Sequence, residues 1–340
     1  MDQHKIIRSV CLFTDNPSLK AIARLGELTN RLSGRGFTIQ TQRLCSPESD
    51  GIFQLDKEGD GNVRLSIGRL NFERATGILD PFCNAKNNVD FNVDLTHELI
   101  TIRHISLLTN IIHSNAGKTF SFAYTFNNAL SSPFFPSASY EKNGFAIGLQ
   151  PTNLSEDCKT IEEWLERTKE VWSEIDSIFA TEEDYLGIDT SIAPLFAGSS
   201  SFINFLNRIG LNFSNAVTTD VFIRIARFIR EEGPKKVGLC GLMFACLEDF
   251  ELAEEYEEGN FSIERNAFLS LHSGLGIDAY PIGIDENPER VTQILKLMQG
   301  LSNKYSKPLS IRLVSDGIAK VGQKTNFGNP YLKDVIIRPL

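Results

Sequence analysis

The chain has 340 residues, with 34 Lys or Arg against 43 Asp or Glu, so its formal net charge is −9. A hydrophobic fraction of 41% is close to that of average globular proteins, and a chain of this length buries enough apolar surface to fold without disulfides or a structural metal. Because nucleic-acid binding needs a basic surface, the acidic balance predicts that nucleic acid is not a partner.

The sequence gives no sign of a membrane partner either. Its first residues, MDQHKIIRSV, lack the positive region and the apolar run of a signal peptide, and no apolar run of about 18 residues is present that could span a bilayer. The cysteines are scattered and include no CxxC pair, which is typical of a reducing compartment. We therefore expect a soluble, cytoplasmic protein.

In chain order, the first half alternates between strands and helices. The predicted strands span 5–13, 37–43 and 119–125, and the predicted helices span 17–32 and 97–113. Residues 46–92 are rich in Gly, Asn and Asp, so we expect them to be the least regular, loop-rich segment. Two prolines at 132–136 exclude a central strand or helix there.

The second half continues the alternation. Apolar residues spaced three and four apart over 161–179 predict an amphipathic helix, and Asn287-Pro288 is a good N-cap and first-turn pair for another. Further helices are predicted at 199–209, 218–231 and 288–301, and further strands at 236–246, 277–282 and 310–314, with one more that ends at Asp189.

Strands that alternate with helices imply a largely parallel sheet covered by helices. No polar linker divides the chain, so we predict one α/β domain over residues 1–340, closed or nearly closed into a parallel-stranded α/β barrel. Ligands of such folds bind at the carboxyl ends of the strands. No GxGxxG, phosphate-loop, GxSxG or HExxH motif occurs, so the cofactor is undetermined and nothing indicates a nucleotide.

Candidate functional residues follow several of the predicted strands. Asp189 ends a strand, and Gly198, Ser199 and Ser201 open the next helix, where free N–H groups and hydroxyls can cradle an anion or simply cap the helix. Glu248 and Asp249 follow the strand predicted at 236–246. Adjacent acids of this kind bind a cation, act as acid and base, or cap a helix.

Two charges lie inside or next to predicted apolar strands. Asp278 and Arg312 would be costly there unless they are paired, so either they form an ion pair or Arg312 recognises an anion. Lys320, in a glycine-bearing loop beyond the last of these strands, either adds positive potential or is simply solvated.

Several segments together resemble one family. They are GIDTSIAP at 187–194, GLM at 241–243 with LED at 247–249, GID at 276–278, KPLSIRL at 307–313, IRS at 7–9 and PFFP at 133–136. On these segments the chain resembles the domain of unknown function 711 family, also called uncharacterised protein family 0210. The resemblance implies a fold like the barrel core of pyruvate formate-lyase and brings no assigned reaction. Ala245 and Cys240 depart from the residues usual in this family.

The chain does not match the radical chemistry that this fold hosts elsewhere. Neither Asp316-Gly317 nor Phe327-Gly328 fits a glycyl-radical loop, and no two cysteines are adjacent. Since fold alone does not determine function, we expect that the protein is not a radical lyase.

From these residues we expect a non-radical enzyme that acts on a small anionic metabolite, a carboxylate or a phosphate, by acid–base or metal-assisted chemistry. The anion would be held by Arg8, Arg43, Arg312 and Lys320 with the backbone of 198–201. The catalytic candidates are Asp189, Glu248 and Asp278, and the metal-ligand candidates are Glu248 and Asp249. A divalent cation and a homo-oligomer are left open. The alternatives are a non-catalytic metabolite-binding or regulatory protein on an enzyme-derived barrel, and an oligomeric scaffold.

Overall fold

The structure is a computed structural model that describes residues 5–86 and 89–340. Residues 1–4, which begin the segment tested above for a signal peptide, lie outside the described residues, as do 87–88. The strands are β1 (Ile6–Phe13), β2 (Thr38–Ile39), β3 (Gln42–Cys45), β4 (Val63–Leu70), β5 (Val89–Asp94), β6 (Phe122–Phe126), β7 (Gly144–Leu149), β8 (Tyr185–Asp189), β9 (Gly276–Pro281) and β10 (Leu309–Val314).

Helices connect most of these strands. They are α1 (Leu19–Ser33), α2 (Ser49–Glu58), α3 (Phe72–Gly77), α4 (Leu79–Cys83), α5 (Ile102–Asn115), α6 (Ile161–Phe179), α7 (Phe202–Arg208), α8 (Phe213–Ala216), α9 (Val221–Glu232), α10 (Phe250–Glu257), α11 (Ile263–His272) and α12 (Pro288–Tyr305). The predicted α6 is confirmed, and α12 begins where it was predicted, because the Asn287 side chain accepts a hydrogen bond from the Glu289 N–H. No described helix is long and apolar enough to cross a membrane.

The strands form one ten-stranded sheet in the order β8-β7-β1-β3-β4-β5-β6-β10-β9, with β2 beside β1. The mixed α/β class is confirmed. The sheet is largely parallel, as predicted, but not entirely so, because β7 runs antiparallel to β1 and β10 runs antiparallel to β6. The sequence analysis did not find β7. The remaining strand pairs are parallel.

The predicted strand at 236–246 does not form. Left-handed backbone at Gly238 (φ 81°) and Cys240 (φ 47°) interrupts the extended chain. This segment makes only isolated bridges, from Lys236 and Leu242 to the chain at and after β8, and from Leu242 and Ala245 to the chain at and before β9. Residues 235–249, which we call the irregular segment, therefore lie between the two edge strands of the sheet, which the strand pairings themselves do not close.

The expectation that 46–92 is the least regular, loop-rich segment is wrong for the described part of it. The segment holds α2, β4, α3, α4 and β5. Its Gly and Asn residues end and begin these elements instead of forming long loops: Gly59 ends α2, and the Asn71 side chain caps α3 by accepting from the Arg74 N–H.

The two faces of the sheet differ in chemistry. Alternate residues of a strand point to opposite faces, so Val10 and Leu12 of β1 join the large core under the helices, whereas Cys11 and Phe13 join a small cluster on the other face. On that second face lies the inserted loop, residues 131–139, all of which are buried. We call this second face the polar face, because the charged residues described below extend from it.

Gly187→Ala tests the contact between β8 and the irregular segment. A Cβ at Gly187 would lie 2.1 Å from the carbonyl oxygen of Lys235, and its φ of +143° disfavours other residues. We expect the substitution to lower the free energy of unfolding in urea by at least about 2 kcal/mol.

The matched control is Gly26→Ala in the middle of α1, where an added Cβ would meet nothing within 4 Å. Its helical position predicts a gain of about 0.5–1 kcal/mol. Equal stability changes in the two variants would show that β8 does not approach the segment as described.

Candidate functional site

Four charged side chains from distant parts of the chain meet on the polar face. Glu248, in the irregular segment, accepts hydrogen bonds from Arg8 Nη2 of β1 at 2.9 Å and from Arg312 Nη2 of β10. Arg312 Nε also donates to Asp278 Oδ1 of β9 at 2.6 Å. Sequence analysis proposed all four residues, and the structure brings them together as one ion-pair cluster. Of the two alternatives for Asp278 and Arg312, the ion pair is present.

Arg8, Glu248 and Arg312 are buried and Asp278 is partly exposed, and the charges of the cluster stabilise one another. Burial opposes ionisation of Glu248, but Arg312 and Arg8 outweigh it and hold the pKa of this carboxyl below its usual value. Burial likewise opposes the charge on Arg312, and Asp278 and Glu248 more than compensate, so its pKa is raised. Glu248 is thus a permanently ionised counter-ion at neutral pH, which makes it a poor proton donor.

A β-bulge aims Arg8 at this cluster. The register of β1 against β7 shifts between Ile7 and Ser9, with Arg8 at the shift. Ser9 donates its hydroxyl hydrogen to the Pro133 carbonyl of the inserted loop, at 2.8 Å. Bulges let neighbouring residues turn toward one face, so Arg8 and Ser9 both contact groups on the polar face.

A pocket opens beside the cluster, and we call it the arginine pocket. Its enclosed space is only about 30 Å³, so a group larger than a few water molecules does not fit unless the walls move apart. It is lined by Arg8, Arg43, Arg64, Phe120, Phe134, Phe135, Ala193, Pro194, Met243, Ala245, Glu248, Asp278 and Arg312. Four arginines therefore face two carboxylates in a chain whose net charge is negative.

Arg43 of β3 is a buried cation without a counter-ion. Only 3% of the residue is exposed, and its guanidinium donates to Thr41 Oγ1 at 3.0 Å and to the Pro133 carbonyl at 3.2 Å, both of which are neutral acceptors. Among the described residues, no carboxylate lies within 4.0 Å of it. Burial, and then the positive charges of Arg8 and Arg64, lower the pKa of Arg43 to about 9. An anion in the pocket would stabilise the charged form of Arg43 and so raise its pKa.

Sequence analysis missed Arg64, which is the register partner of Arg43 on the neighbouring strand β4. Its guanidinium lies 5.9 Å from the ring centre of Phe120 and 5.5 Å from that of Tyr331. We find no ion pair or hydrogen bond from this side chain to any described residue. The period-two pattern Arg-Leu-Ser-Ile at 64–67 could have identified it, but the segment was predicted as loops.

Asp90 of β5 was missed for the same reason. Its register partner Ser66 shares a strand face with Arg64, so Asp90 extends from the polar face. It is buried, and its Oδ2 has no hydrogen-bond donor in the described part of the chain. Burial raises the pKa of Asp90 to about 6, even though Arg64 and Arg43 oppose this. Asp90 does not line the arginine pocket.

Asp189 holds three segments together instead of facing the pocket. Its carboxylate accepts from Ser132 Oγ at 2.8 Å, from the Ser191 N–H and hydroxyl at 3.0 and 2.6 Å, and from the N–H groups of Leu239 and Cys240 at 2.8 and 3.1 Å. Burial raises its pKa, and these hydrogen bonds act in the opposite direction. The end of β8, the inserted loop and the irregular segment are thereby joined, and the geometry gives Asp189 a structural role.

Two of the groups expected to cradle an anion at 198–201, one N–H and one hydroxyl, are bound by carboxylates of the chain itself. Gly198 N–H donates to Glu251 at 2.9 Å, and Ser201 Oγ donates to Asp249 Oδ1 at 2.5 Å. Ser201 also caps α7 by accepting from the Asn204 N–H, and Ser199 is exposed. The capping alternative is the one that the structure contains.

Asp249 and Glu248 point to different partners. Asp249 accepts from the Phe202 N–H at 2.9 Å and, as the N-cap of α10, from the Leu252 N–H at 3.4 Å, and burial raises its pKa to about 7. The two neighbouring acids therefore do not form a joint cation site. Within residues 5–86 and 89–340, no three His, Cys, Asp or Glu side chains are grouped so that they could hold a metal ion. Lys320 is exposed and does not line the arginine pocket.

A comparison with protein-family models matches residues 84–329 to the family described as Uncharacterised ACR (DUF711). This match covers most of the chain and includes the inserted loop, β8, the irregular segment, β9 and β10, so the chain belongs to the DUF711 family. A comparison with curated proteins finds no match.

Asp189→Ala tests the structural role of this carboxylate. The substitution leaves three N–H groups and two hydroxyls without their acceptor, so we expect urea unfolding to show a loss of about 3–5 kcal/mol. Asp220→Ala, at an exposed carboxylate that makes no side-chain cap bond, is the control. If the Asp189→Ala variant keeps its stability but loses ligand binding, Asp189 has a functional role and not a structural one.

Asp90→Asn tests the environment of this carboxyl. Folded Asp90 has a pKa of about 6, against about 4 in the unfolded chain, so between these pH values the folded state retains a proton that the unfolded state has lost. Stability therefore falls by roughly 2–3 kcal/mol from pH 4 to pH 7 on account of this group. The variant should lack that part of the fall in urea unfolding, whereas exposed Asp50→Asn should keep it. Identical pH profiles for Asp90→Asn and the unchanged chain would contradict this.

Proposed function

We propose that this DUF711-family chain binds a small anionic metabolite, a carboxylate or a phosphate, in the arginine pocket, and acts on it as a non-radical enzyme. The observation that carries the proposal is the buried guanidinium of Arg43. It has no carboxylate partner among the described residues, and the neighbouring ion-pair cluster is already neutral. Arg64 on the next strand is half-buried and adds a second guanidinium without an ion pair to a described residue.

Burying a cation has a cost that an anionic ligand would offset. A charge removed from water without a partner is strongly unfavourable, and Arg43 meets only neutral oxygens. A ligand carboxylate or phosphate would supply the missing counter-ion, and the fork of a guanidinium fits the geometry of either group. Because the chain as a whole is acidic, the local positive charge also favours anions over other ligands at this site.

Asp278 is the best candidate for general acid–base chemistry. It lines the pocket, and only its Oδ1 is bonded to Arg312, so among the described residues its Oδ2 receives no hydrogen bond. Glu248 has both oxygens bonded to arginines and acts as the fixed counter-ion that orients Arg8 and Arg312. Asp278 would therefore exchange a proton with a ligand that Arg43 and Arg64 hold.

The second candidate function is binding without catalysis, as in a regulatory protein. One observation favours it: the pocket lining contains no Ser, Thr, Cys, His, Tyr or Lys side chain that could serve as a nucleophile. Asp278→Asn separates the two functions, since an enzyme would keep ligand affinity and lose turnover.

The finer expectations about architecture and setting belong to the same proposal. The irregular segment between β8 and β9 supports a nearly closed barrel, similar to the core of pyruvate formate-lyase, in one domain. A cytoplasmic location, a homo-oligomer and a divalent cation also stay predictions.

Arg43→Gln tests the binding site. We expect calorimetric affinity for the best of a panel of metabolite carboxylates and phosphates to fall at least ~10-fold, because the variant loses a buried charge–charge contact. The matched control is Arg103→Gln, at an exposed arginine of α5, which removes the same charge outside the pocket. If no anion of the panel shifts the melting temperature of the unchanged protein, the proposal is wrong.

A further inference from the structure

We infer that the ligand of the arginine pocket carries a dianionic group joined to an apolar body, an inference that rests on the proposed function and names its substrate class. Two features of the described residues support it: the balance of charges around the pocket, and a second, apolar slot that shares a wall with it.

The charges of the pocket lining leave an excess of two. Arg8 and Arg312 are paired with Glu248 and Asp278, whereas Arg43 and Arg64 have no carboxylate partner among the described residues. Beyond the lining, Asp90 interacts with Arg64 and Arg43 as well as with Lys118, and Lys118 also interacts with Asp56. These groups lie outside the lining, so within the pocket itself a dianion matches the excess of two, and a monoanion leaves one arginine of the lining without a counter-charge.

The two free guanidinium groups are placed to act on one ligand group. Arg43 and Arg64 are register partners on adjacent parallel strands, whose backbones are about 4.8 Å apart. Arg8, which also lines the pocket, has a buried Nε that finds no acceptor in the described part of the chain. Three donors of this kind suit a group with several oxygens, either a phosphate monoester or a pair of carboxylates.

The apolar slot adjoins this charged end. It shares Phe134, Phe135, Met243 and Asp278 with the arginine pocket. Its other walls are Pro136, Ser137, Leu239, Phe244, Leu275, Gly276 and Ser310. Asp278 is the one ionisable side chain in that lining, so the chemistry of the slot, rather than its enclosed space of about 20 Å³, suits an uncharged hydrocarbon part of the ligand, with Asp278 at the junction of the two spaces.

The experiment varies the charge and the body of the probe separately. Calorimetry at pH 8, where phosphate monoesters are dianions, compares phenyl phosphate and benzylmalonate with benzoate and with inorganic phosphate. We expect the tighter of the two aromatic dianions to bind at least ~10-fold more strongly than benzoate, because the second charge pairs with the second free arginine. It should also bind more strongly than inorganic phosphate. Tighter binding of phenyl phosphate would identify a phosphate monoester as the dianionic group, and tighter binding of benzylmalonate would identify a pair of carboxylates.

Two variants assign these preferences to residues. Arg64→Gln should remove the preference for dianions over benzoate, while Arg103→Gln keeps it. Leu239→Gln, in the slot alone, should weaken phenyl phosphate and leave inorganic phosphate unchanged.

The outcomes separate this inference from the function on which it rests. Benzoate that binds as tightly as both dianions would overturn the dianionic group, and inorganic phosphate that binds as tightly as phenyl phosphate would overturn the apolar body. In both cases the anion site would stand. If none of the four probes binds, and the metabolite panel above also fails, the proposed function itself is wrong.

Discussion

Glu248 between Arg8 and Arg312 is the contact on which the polar face depends. It joins the first strand of the chain, a late strand and the irregular segment through two charge-assisted hydrogen bonds in a buried setting. Removing one member of such a buried group leaves a charge without compensation, so the three positions are held by one another. Because the cluster is neutral together with Asp278, the charges of Arg43 and Arg64 remain available to the anionic ligand that we propose.

The inserted loop makes a buried polar face feasible in the middle of a protein. Its backbone carbonyls serve as acceptors for donors of the sheet: Pro133 accepts from Ser9 and Arg43, and Pro136 and Ala138 both accept from Asn92 Nδ2 at 2.8 Å. Buried donors without acceptors would be costly, so the carbonyls of the loop satisfy the donors on this face of the sheet. On the apolar face, the helices cover the sheet by hydrophobic packing instead. One sheet thereby has a hydrophobic core on one side and a hydrogen-bonded site on the other.

Sequence periodicity predicted the elements that bury one clear face, such as α6, and the capped start of α12. It also predicted that Asp278 and Arg312 need a partner, since a charge in an apolar strand has few alternatives. It failed where tertiary contacts override local pattern: 236–246 is as apolar as a strand but is bent at Cys240, and Asp189 resembles a catalytic acid until its acceptor role is visible. Arg64 and Asp90 were lost because glycine and asparagine at element ends were taken for loops.

The separation along the chain of the groups in the ion-pair cluster has a kinetic consequence. Arg8 and Glu248 are 240 residues apart, and Arg312 follows Glu248 by a further 64. Closing loops of that length is entropically slow, so the polar face can assemble only after the helices and neighbouring strands have collapsed around it. During synthesis, the nascent chain holds Arg8 without its acidic partner until residue 248 has left the ribosome. An N-terminal fragment that ends before Glu248 therefore cannot contain the ion-pair cluster.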